Sequence, residues 1–231
     1  IEVLKKEKNK IIRIYDQKAG LTELLVNKKN TIIKLKNETV QTIDDDFLYY
    51  SCNIKEVCLL KAEYIGNYFL RKAKNTEEVI LPQAQYIGKC FLEENETIQT
   101  LSLPKAKIID SWFLWLNDSL SYINLSEVEK IKDNFLRNNN TIQTISLPKA
   151  KEIGDNFMST NQKLRKINIS NVEYIGFDFL EENKKLKLFK FFKELKIELR
   201  HMLNVNSDSN STYCDNEITD RIRQLIRKKT Q

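Results

Sequence analysis

Apolar residues along this chain return at a fixed step of 22 positions. Phe47, Phe69, Phe91, Phe113, Phe135, Phe157 and Phe179 form one such column and take up seven of the eleven phenylalanines. One place later the column reads Leu48, Leu70, Leu92, Leu114, Leu136, Met158 and Leu180. A third column runs from Ile43 through Ile65, Ile87, Ile109, Ile131 and Ile153 to Ile175. A fourth is small and apolar: Val40, Ala62, Ala84, Ala106, Val128, Ala150 and Val172. All three prolines (Pro82, Pro104, Pro148) share one column, and four of the five glycines (Gly66, Gly88, Gly154, Gly176) share another. A step of this length marks stacked coils, none of which buries enough apolar surface to stand alone.

Inside the unit, Val57 and Leu59 flank Cys58, and the alternation predicts a short strand with its apolar members pointing inward. The triplet recurs as Val79-Ile80-Leu81, Leu101-Ser102-Leu103, Ile123-Asn124-Leu125, Ile145-Ser146-Leu147 and Ile167-Asn168-Ile169. The proline that follows cannot donate to a ladder and ends the strand. The Ile-Gly step is expected to need positive φ, which Gly supplies and Asp44 and Asp110 tolerate. Lys132 looks costly there and predicts a local change of turn. The Phe-Leu pair closes the coil. Asn95, Asn117, Asn139, Asn161 and Asn183 form a further column, with Ser51 and Ala73 in the first two copies. A buried asparagine in each coil could bond backbone groups of its own and the next coil, as a ladder. Asn37 and Thr76 stand where apolar residues are expected and read as weak points.

The unit Ile-x-x-Leu-x-Leu-Pro-x-Ala-x-x-Ile-Gly-x-x-Phe-Leu-x-x-Asn resembles the leucine-rich repeat, in particular its BspA-like or treponemal class. The resemblance covers residues 32–185 in seven copies. Two departures stand out: the unit is one residue shorter than is usual, and Phe-Leu replaces the frequent Ala-Phe. The resemblance implies a leucine-rich-repeat solenoid of the α/β superhelix class. Such a fold has short parallel strands on a concave sheet, turns on the convex side, and little helix except near the C-terminus. It also implies a secreted or cell-surface setting and a role in adhesion or partner contact.

Residues 1–31 keep only part of the pattern and read as a degenerate N-terminal cap coil, with Lys10 and Arg13 breaking the strand columns. Residues 186–205 read as a degenerate C-terminal coil or cap, in which a strand and a short amphipathic helix compete for 192–203. A polar loop follows over 206–216. Residues 217–231 place Ile218, Ile222, Leu225 and Ile226 on one face of a basic amphipathic helix. That helix either packs over the last coil or meets a membrane surface or a partner. Ile1 in place of Met suggests a processed or cut chain.

Charge and chemistry narrow the function. The net charge is +6, yet residues 31–183 hold 18 basic against 22 acidic side chains, so the excess lies at the ends. Nucleic-acid binding needs a basic face and is not expected of the repeat body. No run approaches the roughly 18 apolar residues of a membrane helix, so membrane contact could come only through the C-terminal helix. Four cysteines without paired spacing and the lone His201 suggest neither a disulfide framework nor a metal site. Asp44-Asp45-Asp46 lacks the alternating ligands of a calcium loop. No nucleophile–base set or phosphate loop is present, so no enzyme and no cofactor is expected.

A binding surface is therefore sought among the strand residues that alternate outward. These include Glu56, Cys58, Glu78, Ile80, Thr100, Ser102, Tyr122, Asn124, Thr144 and Lys166. Tyr122 is the aromatic anchor of a polar face, and Cys58 with Ile80 makes an apolar spot. Trp112 and Trp115, flanking Phe113-Leu114, are a second surface candidate. The expected function is a non-enzymatic module binding a protein partner through the concave face. The alternative is a structural spacer or scaffold that presents the C-terminal helix to membrane or nucleic acid. Oligomeric state is open.

Overall fold

Each repeat folds as one turn of a β-solenoid carrying two short strands. The computed structural model describes residues 9–18, 20–29, 31–183, 185–186 and 188–190. The expectations for 192–203, for the loop 206–216 and for the helix 217–231 lie outside these residues. No helix occurs among the described residues.

The longer strand of each turn joins one ladder: β3 (Ile32–Asn37), β5 (Glu56–Leu59), β7 (Glu78–Ile80), β9 (Thr100–Ser102), β11 (Tyr122–Asn124), β13 (Thr144–Ser146), β15 (Lys166–Asn168) and β17 (Leu188–Lys190). Its strands are parallel, with formal pairing interrupted between β7 and β9 and between β11 and β13. The second strand of each turn is a dipeptide: β4 (Thr42–Ile43), β6 (Tyr64–Ile65), β8 (Tyr86–Ile87), β10 (Ile108–Ile109), β12 (Lys130–Ile131), β14 (Glu152–Ile153) and β16 (Tyr174–Ile175). These seven form one continuous parallel sheet. Every parallel register sets residues 22 apart beside each other, for example Lys34↔Glu56 and Ile43↔Ile65. The sequence step and the coil length are therefore the same quantity.

Between the two ladders lies the core. Phe69, Phe91, Phe113, Phe135 and Phe157 are fully buried. Neighbouring rings lie parallel, with centroids 5.2 Å apart for Phe69 and Phe91 and 5.4 Å for Phe91 and Phe113. Leu70, Leu92, Leu114, Leu136 and Met158 are buried beside them.

The turn after each dipeptide strand works differently from the sequence expectation. Gly20, in the N-terminal hairpin, has φ +69°, but no repeat glycine lies in the left-handed region. The repeat glycines are required instead by close approach of coils. A Cβ on Gly88 would sit 2.5 Å from the carbonyl carbon of Gly66, and one on Gly176 would sit 2.4 Å from that of Gly154. Lys132 does not alter the turn: its N–H bonds Ile109 O at 3.0 Å, as Gly66 N bonds Ile43 O at 2.8 Å.

Left-handed φ falls at three non-glycine positions of each closing segment, such as Tyr68, Leu70 and Lys72 at 60°, 51° and 59°. Each such residue costs on the order of 1–3 kcal/mol of backbone strain. The conformation turns alternate N–H groups toward opposite neighbours. Tyr68 N donates to Lys89 O at 2.7 Å in the next coil, and Leu70 N to Phe47 O at 2.9 Å in the previous one. Glycine would relieve the strain but would remove the leucine that the core needs.

The asparagine ladder is present in two forms. Asn95 and Asn117 turn their carbonyls to their own coil: Asn117 Oδ1 accepts from Ser119 N at 3.1 Å and Leu120 N at 2.9 Å. Asn95 Nδ2 donates to Ala73 O of the preceding coil at 2.7 Å, and Asn139, Asn161 and Asn183 donate likewise to Leu114 O (2.7 Å), Leu136 O (2.9 Å) and Met158 O (2.8 Å). Asn161 Oδ1, however, accepts from Asn139 N of the preceding coil at 2.8 Å instead of from its own. Asn37 and Thr76 are satisfied rather than weak. Asn37 Oδ1 accepts from Thr39 N at 2.9 Å and Val40 N at 2.8 Å, and Thr76 Oγ1 donates to Ile54 O at 3.1 Å.

At the N-terminus the chain departs from the solenoid. β1 (Lys10–Asp16) and β2 (Gly20–Val26) form an antiparallel hairpin, and β2 runs antiparallel to β3. Residues 10–26 are thus not a degenerate coil. At the other end, β17 adds in parallel to β15 with the same 22-residue step, Ile167 facing Phe189.

Candidate functional site

The two ladders and the closing segments give the stack three long faces, each lined by in-register columns. Charges on these columns pair with the next coil: nine of the eleven ion pairs among the described residues join partners 22 apart. Most are exposed and contribute little stability, about 0–1 kcal/mol each. They nevertheless consume charge that a ligand would otherwise meet.

The long-strand face carries the residues singled out from the alternation. Glu78, Thr100, Ser102, Thr144 and Lys166 are exposed, and Tyr122 is exposed at 59%. Glu56, Ile80 and Asn124 are half-buried. Glu56 is engaged by Lys34, and Asn124 Nδ2 donates to Ser102 Oγ at 3.3 Å. Cys58 does not remain open: it is buried at 7%, beside Lys36 in the register of β3. Burial pushes its thiol pKa up. The apolar spot expected there shrinks to the partly covered Ile80. Around Tyr122 the face consists of short hydroxyl side chains on a hydrogen-bonded backbone, with Tyr122↔Thr100 paired in register.

The closing segments form a second face. Trp112 and Trp115 are both half-buried and meet edge to face, centroids 5.1 Å apart at 75°. Trp115 Nε1 is buried without a hydrogen-bond partner. The neighbouring coils supply Arg71, whose guanidinium lies 5.4 Å from the Tyr68 ring and 2.9 Å from Glu93. Cys90 is buried here, and burial followed by its hydrogen bond with Glu93 pushes its pKa up to about 12. A thiol held protonated in this way packs as a small apolar group.

The dipeptide-strand face was not anticipated as a surface. Tyr64 (43% exposed) stacks on Tyr86 with centroids 4.7 Å apart and planes 3° apart. Tyr86 donates its hydroxyl to Asp110 Oδ2 at 3.0 Å, and Lys132 Nζ reaches the same oxygen at 3.2 Å. Burial, then this bond, pushes the Tyr86 phenol up to about 12. Burial also pushes against ionisation of Asp110, but the Ser111 N–H, Tyr86 and Lys132 outweigh it and hold the carboxyl below its ordinary range. The recurrence of Tyr before Ile at 64, 86 and 174 was the available signal. It was hidden because only the inward isoleucine column looked regular.

Among the described residues no group of His, Cys, Asp and Glu could hold a metal ion, and no helix is long and apolar enough to cross a membrane. What the geometry defines is a repeat solenoid whose distinguishing features are its surfaces. Residues 26–117 and 106–206 match the family model described as BspA type leucine rich repeat region, in six copies. The chain belongs to that family, whose repeats point to a protein-interaction module. No curated protein and no solved structure matches it.

Proposed function

We propose that the protein is a non-enzymatic module that binds a protein partner through the long-strand face centred on Tyr122. Its setting is adhesion or partner recruitment, in secreted or cell-surface form. One observation carries the reading: a single open aromatic stands at the middle of a rigid, weakly charged row of Thr, Ser and Asn side chains. Aromatic residues in such positions dominate interface energetics, whereas the short polar residues around them adapt to a partner. Backbone pairing of β11 with β9 holds Tyr122 beside Thr100 before any partner arrives, which limits the ordering cost of binding. The module's membership of an interaction-type repeat family supports the same reading.

The test compares the full chain with Tyr122→Ala in quantitative capture from a cell-surface and secreted-protein extract, followed by affinity measurement on the purified partner. Binding should weaken by about 2 kcal/mol or more. Thermal stability should stay within about 0.5 kcal/mol of wild type. Affinity should change only modestly with salt, because the exposed charges on this face are few. Undiminished binding by Tyr122→Ala would leave the face in a spacer role, with the repeats holding other elements apart.

A further inference from the structure

Strand β1 exposes all seven of its residues, which no other strand with described side chains does along its length. Ile11, Ile12, Ile14 and Tyr15 are 60%, 44%, 51% and 77% exposed. It is the terminal strand of the order β1-β2-β3-β5-β7, and its second edge meets no strand among the described residues. A long apolar edge strand of this kind is a template for pairing with another chain.

Its sequence states which chain. Read as Lys10-Ile11-Ile12-Arg13-Ile14-Tyr15-Asp16, it is chemically palindromic about Arg13. We propose that β1 pairs antiparallel with β1 of a second copy of this chain, joining two solenoids at their N-terminal ends through one continuous sheet. In the register centred on Arg13, Lys10 faces Asp16, Ile11 faces Tyr15 and Ile12 faces Ile14, twice over by the two-fold axis. Apolar residues thus meet apolar residues on both faces of the sheet, and opposite charges meet at both ends. Arg13 faces its own counterpart, but each guanidinium is already held by Glu23 of its own hairpin, Nε to Oε1 at 2.7 Å. Parallel pairing would instead set Lys10 against Lys10 and Asp16 against Asp16. The contact is self-complementary, as an isologous two-fold interface must be. One strand pair is a small interface, so the dimer is weak and concentration-dependent.

Sedimentation equilibrium of the full chain from about 1 to 200 µM should show a monomer–dimer equilibrium. Ile14→Lys should raise the dissociation constant at least about tenfold, because a charge on an edge strand blocks pairing. It should leave thermal melting unchanged, since Ile14 is 51% exposed. Lys10→Asp provides a second reading without altering an apolar residue: it sets like charges opposite each other and should also weaken the dimer. In a Cys52→Ser, Cys214→Ser background, Arg13→Cys should oxidise to a covalent dimer, because directly opposed strand residues lie within disulfide reach. Lys18→Cys, away from the axis, should not. A chain that stays monomeric at every concentration overturns the proposal. So does a dimer indifferent to both Ile14→Lys and Lys10→Asp, or one cross-linked equally well through Lys18→Cys. Slow amide exchange along β1 in the dilute monomer would show that a segment of the same chain covers the edge, and would also overturn it.

Discussion

Phe113, in a closing segment, and Ile12, on the core side of strand β1, are both apolar residues directed inward, and they meet opposite fates. Phe113 is fully buried between Phe91 and Phe135, 5.4 and 5.3 Å away. Ile12 pairs with Leu24, which pairs with Leu35, which pairs with Val57, so its side chain shares their face. Val57 is fully buried, yet Ile12 is 44% exposed. Strand alternation decides which way a side chain points. Burial is supplied by the closing segment of the same turn and by the turns on either side. The hairpin has neither beneath it among the described residues. Stability in this protein is therefore a property of neighbours, and it should fall from the middle of the stack toward the hairpin.

That contrast is sharpest at the two residues themselves. Phe113→Ala should cost about 3–5 kcal/mol in denaturant unfolding, and exchange protection should drop in the coils on both sides. Gly88→Ala tests the inter-coil spacing. Its added methyl meets backbone on Gly66 and cannot be accommodated by a rotamer change, so a loss of about 1–3 kcal/mol is expected. A neutral result would mean that the coils can separate without loss of packing. Asn117→Ala should remove about 1–3 kcal/mol by leaving the Ser119 and Leu120 amides without their acceptor.

The alkaline limb probes the same interior without a large change in volume. Cys90 and Tyr86 hold their protons more tightly when folded, with ordinary values of 9.0 and 10.0 moved to about 12. Their contribution is whole below pH 9 and is lost as the pH rises through about 12, where the native state must release protons it binds more tightly than the unfolded chain. Cys90→Ala should flatten the early part of that decline in a series of melts between pH 8 and 12, as values of this kind imply. At the small end, Ile12→Ala should change stability by less than about 0.5 kcal/mol. A loss comparable to that of Phe113→Ala would erase the distinction between hairpin and stack.

Much of the fold was legible because a repeated environment repeats its residues. The phenylalanine, leucine and isoleucine columns are core in the structure, and the proline column follows the long strands. Less was legible at the surfaces. Cys58 alternates outward in sequence yet is covered, because exposure depends on what lies beside a side chain and not only on which way it points. The tyrosines at 64 and 86 were overlooked for a related reason: stacking at 4.7 Å exists only once the coils are set side by side.

The amino-acid sequence by itself determined the length of the coil, the inward columns and the places where strands end, since these follow from local alternation and a fixed step. Tertiary structure alone decided why glycine stands where it does. Its φ is ordinary, and the constraint is the backbone of the previous coil. Tertiary structure also decided that leucine, not glycine, adopts the left-handed turns, and that the asparagine side-chain carbonyl serves its own coil at Asn117 but the preceding coil at Asn161. Finally, it set β1 and β2, within residues 10–26, as an antiparallel hairpin where the pattern alone read as a broken coil. The glycine, leucine and asparagine contacts join residues about one coil apart along the chain and are fixed only when neighbouring coils meet, whereas the hairpin joins nearer residues, from Asp16↔Gly20 to Lys10↔Val26.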